Sequence, residues 1–309
     1  MPLKPVLKVA LLAGGSSSER EVSLKGARAV HKALEELGHT VEFFDPATDL
    51  LKLSQKAKEF DCAFLVVHGP LGEDGTLQGF LDMLGLPYQG SGVLGSALAM
   101  HKGIAKILYR EAGIPVPKGF LIKKEAPWAD LEGKIKNLGF PLIVKPATQG
   151  SSVGLSLVKD RKSLKDALEK GFEFDRELLI EEYIEGREIT VGVLDDKPLP
   201  VVEIVHQKNL FDYETKYTPG MAEEICPAPL SQELTEKAQE YALRAHRALH
   251  LKHYSRTDMI LKDSTIYVLE TNTIPGMTET SLLPLAAKVA GLSFKDLIQK
   301  LLELTLTKP

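Results

Sequence analysis

Short apolar runs alternate with amphipathic segments over the first ninety residues, which is the pattern of a βαβ fold. Three buried strands are predicted there, at residues 6–13, 41–44 and 62–67. Two helices are predicted as well, at residues 18–38 and 76–84. We expect Ser18 and Glu21 to form a capping box on the first helix, and Gly85 to end the second. This order predicts a parallel sheet with ligand-binding groups at the carboxyl ends of its strands.

The pattern changes after about residue 90. An Ala-rich helix is predicted at residues 96–111, and the Pro-containing residues 114–117 then predict an extended connector. Further strands are predicted at residues 140–145, 154–158, 177–184, 188–194 and 199–205, with helices at residues 163–170 and 232–249. The turn-forming sequence at residues 195–198 predicts a hairpin. Two strands up to Glu270 and two helices after Thr280 complete the chain.

Composition narrows the class of protein. The 309 residues contain 38 Lys+Arg and 42 Asp+Glu, and this formal charge of −4 argues against a globally basic nucleic-acid binder. The hydrophobic fraction of 44% is that of a globular protein. Cys62 and Cys226 lie far apart, so we expect neither a disulfide scaffold nor a zinc module. No apolar run approaches the ~20 residues of a membrane span, and we expect a cytoplasmic protein without a membrane partner.

One glycine motif is misleading. Residues 90–95 match the dinucleotide-binding pattern G-x-G-x-x-G letter for letter. The preceding residues 86–89 are too short and too interrupted by proline to form the buried strand that the pattern needs. We interpret the segment as a loop between lobes and not as a nicotinamide or flavin site.

A second loop is better suited to phosphates. Lys145 ends an apolar strand and enters a loop of small, hydroxylated residues that runs to Gly154. Such a loop can bring backbone N–H groups and hydroxyls close to phosphate oxygens, although by itself it is also compatible with an ordinary turn.

Oxygen side chains follow near the C-terminus. Glu270 and Asn272 alternate at a strand end and face the same side, and Asp258 on a neighbouring strand can reach them. A set of three oxygen ligands suits a hard cation such as Mg²⁺. Taken singly, each is equally compatible with a surface residue or a turn cap, but next to a phosphate loop the set predicts a nucleotide site.

Six segments together resemble the D-alanine–D-alanine ligases, in the order of that family and over nearly the whole chain. They are residues 14–23, 68–69, 72–76, 145–154, 212–217 and 272–278. The resemblance implies the ATP-grasp fold of the α/β (α+β) class, in which an N-terminal Rossmann-like lobe precedes two α+β lobes that clamp ATP. We expect these three lobes at residues 1–92, 93–185 and 186–309.

The resemblance also implies an ATP site and a metal site. The residues expected to contact phosphates are Lys102, Lys145, Lys216, Ser151 and Ser152. Those expected to read adenine, largely through backbone groups, are Glu181, Glu182, Tyr183 and Ile184, with Glu188 on the ribose. The expected ligands of two Mg²⁺ ions are Asp258, Glu270 and Asn272, with Asn272 also beside ATP. Two positions depart from the family pattern, since His101 stands where an acidic residue is common and Glu182 where lysine is common.

The substrate residues follow from the same resemblance. Glu19 is expected to hold the ammonium of the first D-alanine with His68 nearby, although His68 is also compatible with a purely structural loop histidine. The tetrahedral oxyanion is expected to meet Arg256 and the Gly276 amide. The remaining expected groups are Ser281 and the Leu282 amide for the second carboxylate, and a hydrogen-bonded triad of Glu19, Ser151 and Tyr217.

The implied activity is ATP-dependent synthesis of D-alanyl-D-alanine through an acyl phosphate, for peptidoglycan precursors, by a homodimer. Tyr217 resembles the residue of ligases that accept an amine as second substrate, although it is also compatible with a buried structural ring. Two alternatives are kept: a related ligase that uses D-lactate or D-serine, and a non-catalytic nucleotide-binding module.

Overall fold

The computed structural model describes residues 6–206 and 222–307. Its N-terminal sheet is parallel with the order β2-β1-β3, formed by β1 (Lys8–Leu12), β2 (Thr40–Phe44) and β3 (Cys62–Leu65). The helices of this region are α1 (Arg20–Glu36), α2 (Leu50–Lys56) and α3 (Thr76–Leu84). The predicted parallel sheet is confirmed, whereas α2 was not predicted.

The start of α1 differs from the prediction. The prediction of a capping box formed by Ser18 and Glu21 is wrong, because Glu19 is the N-cap residue and no side chain caps the helix. The carboxylate of Glu19 instead accepts a hydrogen bond from Ser151, more than a hundred residues away. A tertiary contact has therefore replaced the local cap.

A second sheet is antiparallel, with the order β4-β7-β5-β6. Its strands are β4 (Gly119–Lys123), β5 (Leu142–Pro146), β6 (Ser156–Val158) and β7 (Glu177–Glu182). Two helices cover one face through a shared apolar core, α6 (Trp128–Leu138) and α7 (Arg161–Gly171). β4 and α6 were not predicted, and both are short elements flanked by prolines.

The third sheet has the order β11-β10-β8-β12-β13, with β9 paired to β8. Its strands are β8 (Arg187–Leu194), β9 (Lys197–Pro198), β10 (Val202–His206), β11 (Ala222–Ile225), β12 (Tyr254–Lys262) and β13 (Thr265–Asn272). The predicted hairpin is confirmed: Leu194 pairs with Lys197, and Asp195 and Asp196 both have positive φ, as a two-residue turn requires.

Within residues 222–307, the helices are α8 (Gln232–Ala248), α9 (Leu282–Val289) and α10 (Phe294–Leu306). Helices α9 and α10 pack against the N-terminal lobe, in one core with α1 and β1. Within residues 6–206 and 222–307, no helix is both long and apolar enough to cross a bilayer.

The predicted Ala-rich helix is two helices, α4 (Val93–Met100) and α5 (Lys102–Glu111). The helical conformation is interrupted at His101, whose backbone is extended and whose side chain caps α5. The prediction of one continuous helix is therefore wrong. Helices α4 and α5 pack against the third sheet, where the Tyr109 hydroxyl donates to Thr271 Oγ1 at 2.7 Å. The division into lobes at residues 92 and 185 remains a prediction.

Candidate active site

An open cleft lies between the second and third sheets. Apolar side chains of both sheets form its walls, among them Ile143, Val153, Leu155, Ile260 and Leu269. The structure also brings to this cleft eight of the residues predicted from the sequence, namely Lys102, Lys145, Ser152, Tyr183, Ile184, Glu188, Asp258 and Glu270. An apolar slot with charged groups at its rim is suited to a ligand with a flat base and an anionic tail.

Pairing of β12 with β13 gathers the oxygen side chains. Asp258 lies opposite Glu270, and Arg256 lies opposite Asn272, with a register shift immediately after Asp258. The Asn272 amide donates to Asp258 Oδ2 at 3.0 Å, and the Thr190 hydroxyl donates to Asp258 Oδ1 at 2.6 Å. The sheet therefore holds these side chains at one corner of the cleft, and no loop has to move to bring them together.

This corner fits a hard divalent cation by its donor chemistry. Asp258 and Glu270 supply carboxylate oxygens and Asn272 an amide oxygen, which are the ligand types that Mg²⁺ prefers. In the part of the chain that the structure describes, no group of three or more His, Cys, Asp and Glu side chains could hold a metal.

Lys102 connects the two walls of the cleft. Its ammonium donates to the Gln149 carbonyl at 2.5 Å and lies 3.4 Å from Glu270 Oε2. The helix that carries it begins directly after His101, whose Nδ1 accepts from the Ile104 amide and whose Nε2 lies 3.1 Å from Glu177 Oε2. His101 thus supplies the side-chain acceptor at the start of α5.

Lys145 is paired beneath the cleft. Its ammonium lies 2.6 Å from Glu181 Oε1, and the Lys106 ammonium lies 2.9 Å from Glu181 Oε2. Burial alone would lower the pKa of Lys145, but the charges of Glu181 and Glu270 raise it. The Glu181 carboxylate therefore belongs to this ion cluster and does not line the cleft, and the Glu182 carboxylate accepts from the Lys118 amide at 2.8 Å outside it.

A smaller pocket opens from the same region and shares Lys102 and Glu270 with the cleft. Its lining also includes Glu73, Gly150 and Asn272. The two spaces therefore meet at Lys102 and Glu270.

Glu19 contacts the loop after Lys145, and Gly150 of that loop lines this pocket. The Ser151 hydroxyl donates to Glu19 Oε1. A Cβ at Gly150 would lie only 2.8 Å from Glu19 Oε2, so glycine is needed for the close approach. Two members of the predicted triad are therefore in contact, whereas Tyr217, like Lys216, lies outside the described residues.

His68 is buried and Glu73 is half-buried, both within the electrostatic influence of Glu19. Burial lowers the pKa of His68, partly offset by the Glu19 charge, and among the described residues its Nε2 has no hydrogen-bond partner. Glu73 accepts from the Gly69 amide at 2.8 Å and the Ile274 amide at 3.2 Å. Burial, and next the Glu19 charge, raise the pKa of Glu73 to about 8. This carboxyl therefore ties a loop of the N-terminal lobe to the end of β13.

The last predicted residues lie at the start of α9. Ser281 precedes Leu282, the first residue of the helix, and its hydroxyl lies 2.7 Å from Thr278 Oγ1. A Cβ at Gly276 would lie 3.1 Å from the Ser281 hydroxyl, so the turn and the helix start are in close contact. The exposed amides of a helix start suit an anionic group.

Two residues of the site were missed. Lys106 had a detectable signal, because it stands four residues after Lys102 and therefore on the same face of a helix. Glu73 belongs to a segment that the sequence analysis quoted, but no local pattern connects it with Ile274, two hundred residues later.

Comparison with protein families gives two matches, which are separated by residues 92–107. Residues 108–303, more than half of the chain, match the family described as "D-ala D-ala ligase C-terminus". Residues 45–91 match "D-ala D-ala ligase N-terminus".

Relatives match over almost the full length. A D-alanine–D-alanine ligase of Syntrophobacter fumaroxidans is 52% identical, covering 97% of this chain and 98% of that protein. One of Desulfotalea psychrophila is 49% identical, covering 98% and 96%. Among solved structures, the Bacillus anthracis D-alanine–D-alanine ligase complexed with ATP has a TM-score of 0.85 at 36% identity, covering 97% of each chain. The VanG D-Ala:D-Ser ligase of Enterococcus faecalis has the same TM-score at 33% identity, covering 97% and 99%.

Proposed function

The chain belongs to the D-alanine–D-alanine ligase family, and from this premise we propose that it is an enzyme that joins two D-alanines at the expense of ATP. The product is D-alanyl-D-alanine, which serves peptidoglycan synthesis. One observation carries the proposal: the cleft and the smaller pocket meet at Lys102 and Glu270, with the oxygen cluster of β12 and β13 beside them. A nucleotide and a small acid substrate can therefore lie end to end.

We assign ATP to the larger cleft. Its apolar walls suit the base, and Lys102 and Lys145 are positioned for the phosphates, with Lys216, Ser151 and Ser152 as further phosphate contacts. The amides of Glu182 and Tyr183 already donate to carbonyls of the central lobe. We therefore assign the hydrogen bond with the base to the amide of Ile184, the next residue along the chain. Glu188 stands at the ribose end.

We assign Mg²⁺ to Asp258, Glu270 and Asn272, whose oxygen donors suit it. When bound, the cation supplies positive charge that offsets the charge of the phosphates. The chain's own contribution at this corner is to hold both carboxylates in cross-strand register and to keep Asp258 oriented through Arg256, Thr190 and Asn272.

The reaction would proceed in two steps. The carboxylate of the first D-alanine, held through its ammonium by Glu19 with His68 nearby, attacks the γ-phosphate of ATP; the bond to the β-phosphate oxygen breaks and ADP leaves. The amine of the second D-alanine then attacks the acyl carbon and releases inorganic phosphate. The Arg256 guanidinium and the Gly276 amide face the oxyanion, and Ser281 with the Leu282 amide receives the second carboxylate.

The acyl phosphate must be protected from water. The loop that contains Ser151 contacts Glu19 from the other lobe, so it covers the junction of the two pockets. We assign this covering role to the Glu19–Ser151 contact together with Tyr217.

We further propose a homodimer that acts in the cytoplasm, where ATP is available. Exposed apolar side chains on neighbouring helices α3 and α4 support an association of copies, including Met83 at 89% exposed and Leu94 at 59% exposed.

The deciding experiment is incubation of the protein with ATP, Mg²⁺ and D-alanine, followed by mass detection of the dipeptide and assay of phosphate. We expect one dipeptide and one phosphate for each ATP consumed. Parallel reactions with D-lactate or D-serine as second substrate test the alternative acceptors. ATP binding without dipeptide or any other condensation product would contradict the proposal and favour a non-catalytic nucleotide-binding module.

A further inference from the structure

Three charged side chains form a buried line behind the nucleotide cleft. Lys106, Glu181 and Lys145 have side chains 1%, 3% and 9% exposed. Glu181 binds Lys145 through one carboxylate oxygen and Lys106 through the other, at 2.6 and 2.9 Å. Only Lys145 of the three lines the cleft.

The line crosses from one sheet to another. Lys106 lies on α5, one helical turn after Lys102, and its ammonium is 3.4 Å from the Val268 carbonyl of the third sheet. Glu181 and Lys145 lie on β7 and β5 of the second sheet. Lys106 therefore sits at the junction of the two walls between which a nucleotide would bind.

For an anion in the cleft, the net charge of this cluster matters more than any single contact within it. With two lysines and one carboxylate the cluster carries a net charge of +1, because Glu181 is shared. If Glu181 faced Lys145 alone, the pair would be neutral and the cleft would lose its attraction for an anion at this wall. In low-dielectric surroundings such a change is weakly screened by salt.

Electrostatics support the shared arrangement. The pKa of Glu181 is lowered: its burial acts in the opposite direction, but the two lysines outweigh it. Burial lowers the pKa of Lys106 to about 8, although Glu181 acts in the opposite direction. Glu181 therefore stays charged between two cations.

We propose that Lys106 is a positioning residue for the nucleotide: by sharing Glu181 it leaves a net positive charge at Lys145 for the ATP phosphates. The proposal rests on the proposed function, because it assigns a polyphosphate to this cleft. Lys106 itself touches neither substrate.

The test compares Lys106→Met, Glu181→Gln and the double variant. Lys106→Met leaves Glu181 to neutralise Lys145, so we expect the Kd for a non-hydrolysable ATP analogue and the KM for ATP to rise about tenfold, the usual effect of one charged contact. We expect a smaller change in kcat and none in the KM for D-alanine. The double variant restores the net charge of +1, and we expect its ATP affinity to return to within about threefold of the unchanged protein.

Two further variants keep the result interpretable. Lys106→Gln removes the charge but can still donate to Glu181, and we expect it to weaken ATP binding like Lys106→Met even if the latter is unstable. Lys165→Met, on the exposed side of α7 with its side chain 77% exposed, is the matched control and should change nothing.

A double variant that binds ATP no better than Lys106→Met, or a Lys106→Gln variant with unchanged affinity, would overturn the proposal and leave Lys106 a merely structural residue. Failure of the unchanged protein to bind the analogue would instead refute the proposed function, and this inference with it. Thermal unfolding of each variant separates a loss of affinity from a loss of fold.

Discussion

The guanidinium of Arg256 binds both carboxylate oxygens of Asp258, with Nε 2.9 Å from Oδ1 and Nη2 2.9 Å from Oδ2. The two residues alternate on β12, so the strand itself presents the pair to the cleft. Arg256, the proposed oxyanion donor, is thus oriented by Asp258, a proposed metal ligand. The two roles are therefore coupled through one ion pair.

Replacement of Arg256 tests this coupling. We expect Arg256→Ala to lower kcat by about 10²–10³, the usual effect of losing one oxyanion donor, with a much smaller change in the KM for ATP. Arg256→Lys is the control, since it keeps the charge and loses the two-point contact. Steady-state kinetics in ATP and in D-alanine decide the matter, and an effect confined to the KM for ATP would argue against an oxyanion role.

Glu270 tests the metal corner. We expect Glu270→Gln to abolish dipeptide formation while circular dichroism and thermal unfolding show a folded protein, because one carboxylate of the proposed cation site is lost. Glu169→Gln, an exposed residue of an i,i+4 pair, should retain full activity. Turnover of the Glu270 variant at the normal rate would refute the metal assignment.

Gly150 tests the contact between the lobes. A methyl group here would lie 2.8 Å from the Glu19 carboxylate, so Gly150→Ala must displace that carboxylate or the loop. We expect activity to fall at least about tenfold, with a change in unfolding free energy of no more than about 1 kcal/mol. The matched control is Gly133→Ala in α6, where a Cβ would meet nothing within 4 Å. That variant should keep its activity and gain up to about 1 kcal/mol from helix propensity. Equal activity of the two variants would contradict the importance of the close approach.

Glu73 tests the effect of pH on stability. Its pKa of about 8 lies above the usual value of 4.5, so between these values the folded protein holds a proton that the unfolded chain has released. Stability must therefore fall as pH rises through this range. We expect Glu73→Gln to remove this contribution, so that the variant gains stability relative to the unchanged protein between pH 5 and 8. Urea unfolding at several pH values measures this difference in the free energy of unfolding. If the free energies of the two proteins changed with pH in parallel, Glu73 would not titrate in this way.

The secondary structure could be predicted where local chemistry alone decides it. Helix α3 spans the predicted Thr76–Leu84, because Gly85 ends it in a left-handed conformation that other residues rarely adopt. The tight turn at Asp195 and Asp196 is a similar case. By contrast, the predicted capping box at Ser18 did not form where Glu19 contacts Ser151, and the helix break falls at His101, which contacts Glu177.

In the candidate site, too, some features could be predicted from the sequence and others depended on tertiary contacts. Alternation at Glu270 and Asn272, and the family resemblance, were enough to propose the oxygen cluster and the lysines Lys102 and Lys145. They could not reveal that Glu181 is shared by two buried lysines, since its partners lie on a different strand and on a helix.

The sequence by itself determined which residues can carry charge to a phosphate, which strands and turns can form, and the family to which the chain belongs. Only the tertiary structure decided which charges pair, because hydrogen bonds and ion pairs form over about 3 Å and depend on how separate sheets pack. The tie between Glu73 and Ile274 and the line from Lys106 to Lys145 are consequences of that packing.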